Sequence, residues 1–103
     1  MLILTADHVP GKEIEAIGLV QGNVVRTKHI GRDIAAGFKS IVGGEIRGYT
    51  ELMGDARGVA TERMITAAAN LRADAIISMR FETCNIMAGG CEFMAYGTAV
   101  KFV

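Results

Sequence analysis

The chain has 103 residues, with 11 Lys plus Arg against 11 Asp plus Glu; half of it is hydrophobic, only 6% is aromatic, and it contains no Trp. That length suits one domain, and that apolar content excludes intrinsic disorder, which needs low hydrophobicity and high net charge. A balanced charge makes no strong field for a polyanion, so nucleic acid is not an expected partner, and no apolar run approaches the roughly 20 residues of a membrane-spanning helix.

The start, from Met1 to His8, lacks the basic region and long apolar stretch of a signal peptide. A cytoplasmic location is therefore expected, with Cys84 and Cys91 as reduced thiols. The single proline, Pro10, marks a turn after a short first strand. From Ile14 to Val25, two β-rich arms surround Gly22-Asn23, which predicts a hairpin. From Asp33 the pattern changes. Ile34, Phe38, Ile41 and Val42 recur at helical spacing, and Gly43-Gly44 is expected to stop that helix.

A longer helix is predicted from about Glu45 to Arg72. Tyr49, Leu52, Met53, Ala56, Ala60, Met64, Ala67 and Leu71 form one stripe, with Val59, Ile65 and Ala68 off it. Two apolar faces call for two packing partners, the sheet of the same subunit and a second subunit. Ala75 to Thr83 reads as a strand with Ile77, Met79 and Phe81 facing inward, in alternation with Ser78, Arg80 and Glu82. Gly89-Gly90 supplies a turn. The last strand, about Cys91 to Val103, is apolar on both faces: Phe93, Ala95, Ala99 and Val103 on one, Met94, Tyr96, Val100 and Phe102 on the other. One helical layer covers one face, and a neighbouring copy is the expected cover for the other.

These residues resemble the YbjQ-like family, small bacterial and archaeal proteins labelled for heavy-metal binding. The carriers are Gly11-Lys12-Glu13-Ile14, Gly18-Leu19-Val20-Gln21-Gly22, Arg32-Asp33, Val42-Gly43-Gly44-Glu45, Tyr49-Thr50-Glu51-Leu52, Ala56-Arg57, Ala73-Asp74-Ala75-Ile76 and Tyr96-Gly97-Thr98-Ala99-Val100. Their order and spacing span nearly the whole chain. The resemblance implies an α+β fold, a two-layer β-α-β-β domain over residues 1–103 with a small antiparallel sheet, dodecin-like. It also implies a homo-oligomeric ring, a pentamer, and it carries over no catalytic residues.

Two places offer chemistry. Cys84 and Cys91, with Met87 between them, are the soft donors that a metal such as Cu(I) or Zn(II) would take. Their C-x6-C spacing is not that of a zinc site, and the plain alternative is two reduced cysteines flanking a hairpin turn. Arg32, Asp33, Glu45, Arg47 and Tyr49 flank Gly43-Gly44, where free backbone N–H groups at a helix start could receive an anion or small ligand. The alternative there is capping and ion pairing that fix the angle between two helices. Gly54 and Gly58 in the long helix suggest a close approach to another backbone. His8, beside Asp7, and His29 read as surface loop residues. No G-x-S-x-G, G-x-G-x-x-G or G-K-[ST] occurs. The expectation is therefore a homo-oligomeric binding or structural module, not an enzyme, with a soft or divalent metal ion or small ligand at subunit interfaces. The alternative is a small enzyme whose acid–base groups, among His8, Asp33, Glu45 and Tyr49, gather between subunits.

Overall fold

A computed structural model describes residues 1–27, 41–42, 45–87 and 90–103. Along the chain lie β1 (Leu2–Ile3), β2 (Ile14–Thr27), β3 (Ile41–Val42), β4 (Glu45–Ile46), helix α1 (Arg47–Asn70), β5 (Ala75–Met87) and β6 (Gly90–Phe102). Four strands form one sheet in the order β1-β5-β6-β2. β6 pairs antiparallel with both β2 and β5, whereas β1 joins β5 in parallel. The fold is α+β, and its sheet is mixed where an antiparallel one was expected, because the first two-residue strand runs alongside β5.

The helix lies across β2 and β6. Ala56, Ala60, Met64 and Ala68 are fully buried beneath it, packed on Val20, Val24, Ile76, Met79, Phe93, Ala95 and Ala99. Small residues on both layers let the helix sit close to the sheet. Gly22 shows how close: a Cβ there would collide with the carbonyl oxygen of Ala60 and the amide nitrogen of Met64. This explains why β2 is one continuous strand and not the predicted hairpin. Gly22 and Asn23 stay in the ladder, opposite Ala95 and Met94. The glycine that resembles a turn residue is there for lack of a side chain. Two arginines hold the layers together: Arg63 donates to the Asn23 carbonyl at 2.6 Å, and Arg26 pairs with Asp55 at 2.8 Å.

The buried stripe of α1 runs one residue in four through Ala68, which the predicted stripe left out, while Met53 and Leu71 are exposed. Val59, Ile65 and Ala67 pack against the same core from its flanks. Gly54 and Gly58 approach no other backbone among the described residues. The helix ends in a Schellman motif. Arg72 donates to the Ala69 carbonyl, Ala73 donates to the Ala68 carbonyl, and Arg72 holds the left-handed conformation at φ 60°. Lys101 then donates to the Arg72 carbonyl at 2.9 Å, fastening this corner to β6.

The predicted alternation in β5 fails at Ser78, whose φ of 53° accompanies a register shift between Ile77 and Arg80. The bulge puts Ile76 and Met79 under the helix and turns Ile77 to the opposite face. Gly97 accommodates it, since a Cβ there would lie 2.7 Å from Ile76 Cγ2 and 2.9 Å from the Ile77 carbonyl oxygen. On the face away from the helix, Ile77 joins Val9, Ala75 and Val100 in a second small core, flanked by Leu4, Ile14 and Phe102. Part of the cover expected from a neighbouring copy is thus supplied by the chain's own N-terminal segment. That segment is bonded to β5 through Ser78 to Ala6 and Met79 to Leu4, and by Arg80 to the Thr5 carbonyl.

Candidate functional site

The first candidate, around the Gly43-Gly44 pair, changes character. Ile41 and Val42 are strand, not helix, and pair with Ile46 and Glu45 respectively. β-branched Ile41, Val42 and Ile46 suit a pleated ladder better than a helix end. Glu45 is therefore in β4, and α1 starts at Arg47. The helix N-terminus that would have received an anion begins beyond the segment where it was expected. Tyr49 lies in the first turn of α1. Arg32, Asp33, His29, Gly43 and Gly44 lie outside the described residues, as do the side chains of Glu45, Arg47 and Tyr49.

The second candidate is the β5–β6 hairpin. Cys84 is exposed and Cys91 is half-buried; both are free thiols. Cys84 stands opposite Glu92, and Asn85 stands opposite Cys91. Directly paired residues share a face and neighbours along a strand alternate. Cys84 and Cys91 therefore project to opposite faces of the sheet. Cys91 turns toward the helix, where it packs at the edge of the main core across from Arg26. Cys84 turns away from the helix. The thiols donate weakly to carbonyls next to them, Cys84 to Asn85 at 3.7 Å and Cys91 to Glu92 at 3.6 Å. The side chain of Met87 lies outside the described residues.

Around Cys84 the pleat gathers a set of donors that motif spacing did not single out. Glu82 precedes it on the same face; Glu92 stands opposite it, and Met94 stands opposite Glu82. Tyr96 extends the row, its hydroxyl 3.5 Å from Glu82 Oε1. These side chains were legible as one alternating half of each strand, but not as a group, because strand register was unknown. Among the described residues of one chain, no three His, Cys, Asp or Glu side chains are placed to hold a metal ion. A single copy thus offers Cys84 with carboxylates and a thioether nearby, and no closed coordination shell of the kind a structural zinc requires.

The same face is apolar elsewhere. Leu19 is 69% exposed and Val25 47%. His8 and Asp7 sit on an exposed turn, Nδ1 to Oδ1 at 3.0 Å. The hydrogen bond from His8, and then its charge, hold the Asp7 carboxyl below its ordinary value. No helix among the described residues is long and apolar enough to cross a membrane.

Known proteins place this geometry in context. A family model described as "Putative heavy-metal-binding" matches residues 1–103. The chain is 57% identical to the UPF0145 protein of Vibrio campbellii, covering 100% of both. It is 59% identical to the UPF0145 protein of Shewanella frigidimarina over 98% of this chain and 95% of that one. It is 54% identical to the Thermotoga maritima UPF0145 protein, over 98% and 96%. Its fold is similar to that of a DUF74-family protein of unknown function from Pediococcus pentosaceus. That match has a TM-score of 0.69 and 16% identity over 100% of this chain and 98% of that one.

Proposed function

The chain belongs over its whole length to the YbjQ-like family, and on that premise we propose that it is a homo-oligomeric binding module of the cytoplasm, holding a soft or divalent metal ion where copies meet. The observation that carries this reading is the divergence of the two thiols. Cys84 and Cys91 of one chain cannot converge on one ion, because the pleat sends them to opposite faces. A second copy is needed to complete a site that starts from Cys84. The donors nearest to Cys84 by register, Glu82, Glu92 and Met94, lie on the sheet face that also exposes Leu19 and Val25. Burying that face against another copy would bring donors from two chains together and would remove apolar surface from water. Zero formal net charge leaves little repulsion between copies. In this reading the assembly is a closed, dodecin-like ring, a pentamer, since repeated head-to-tail contacts remain soluble only when the rotation closes.

Soft thiolate and thioether donors favour Cu(I) or Zn(II), and the carboxylates broaden the set to other divalent ions. No catalysis is assigned. The competing reading, an acid–base site shared between copies by His8, Asp33, Glu45 and Tyr49, has no observation in its favour. His8 pairs with its own neighbour on an exposed turn.

The test uses tag-free protein at micromolar concentration. Light scattering on a sizing column is expected to give a mass several times that of one chain, and a monodisperse monomer overturns the assembly. Elemental analysis after exposure to Zn(II) or Cu(I) is expected to find bound metal in the unaltered protein and in Cys91→Ser, and to lose it in Cys84→Ser. Metal content unchanged by Cys84→Ser removes this site.

A further inference from the structure

We draw no further inference here: the strongest candidate, the sheet face turned away from α1 around Leu19 and Val25, belongs to the assembly surface already described, and nothing in the structure shows what else covers it.

Discussion

Arg72 occupies a position that most proteins give to glycine. Its φ of 60° closes the Schellman turn after α1, and a residue with a Cβ pays about 1 kcal/mol or more to stay there. Glycine would relieve that cost while adding freedom to the unfolded chain. Arg72→Gly is therefore expected to stabilise the fold by about 0.5 kcal/mol, the part of that relief that survives the added unfolded-state entropy. Urea denaturation reads this directly, and a loss of stability would mean that the arginine side chain contributes more than its backbone costs. The Lys101 contact to the Arg72 carbonyl survives the substitution, because it is made to the main chain.

Asp7 gives a residue-scale prediction with a sign. Its carboxyl is held below the ordinary 3.8 by the hydrogen bond and then the charge of His8. A depressed folded value contributes stability above the unfolded value, and that stability is lost as the pH falls through the folded one. The contribution is small here. Both groups are exposed, and their adjacency in sequence keeps them close in the unfolded chain as well. Carboxyl NMR titration is expected to place Asp7 below ordinary aspartates, and His8→Ala to return it upward. Added salt should narrow the difference.

At the scale of elements, the contact between α1 and β2 decides the packing. Gly22 lies where the backbone of Ala60 and Met64 would meet any Cβ. Gly22→Ala is expected to cost about 2 kcal/mol or more, in the range of an overpacked core, because both colliding groups are main chain and cannot rotate away. Thermal or urea unfolding measures it; a cost below about 0.5 kcal/mol, the usual size of a surface change, would show that the helix slides freely on the sheet. The Arg26–Asp55 pair that fastens the same two elements is partly solvated, at 33% and 65% side-chain exposure. It contributes at most about 1 kcal/mol, so the close-packed Ala and Gly layer, and not the ion pair, sets the helix position.

The β5–β6 hairpin shows how an element can move a site. Near its tip Met87 pairs with Gly90, but one step inward the register shifts, and Asn85 pairs with Cys91. Had the first pairing continued, residue 86 would oppose Cys91, and Cys84 would share its face. One bulged residue therefore separates the two thiols. The second bulge, at Ser78, does the same to the predicted inward row, dividing Ile77 from Met79.

For the whole molecule, the radius of gyration is 16.9 Å and the extents are 53 × 27 × 16 Å. A compact domain of about 100 residues has a radius near 13 Å. The long strands β2, β5 and β6 extend the sheet, and Leu19 and Val25 on β2 are exposed. If copies associate through that face, a charge placed on it is expected to break the assembly without unfolding the chain. Leu19→Asp combined with Val25→Asp should lower the mass seen by light scattering and leave the far-UV circular dichroism unchanged. An unchanged mass would remove this face from the interface.

Much of this was legible in the residues themselves. Composition and patterning determined a charge-balanced chain of helix and strands, with a long helix, a C-terminal pair of strands and a last strand apolar on both faces. These follow from local periodicity and burial, which a linear sequence records. What only the tertiary structure decided depends on register. Gly22 became a contact point instead of a turn, Ile41 and Val42 became strand instead of helix, and Cys84 and Cys91 turned away from each other. A glycine looks alike in a turn and beneath a helix, and a bulge leaves no mark on spacing. The face a side chain takes is settled by its partner across the ladder, which the sequence does not name.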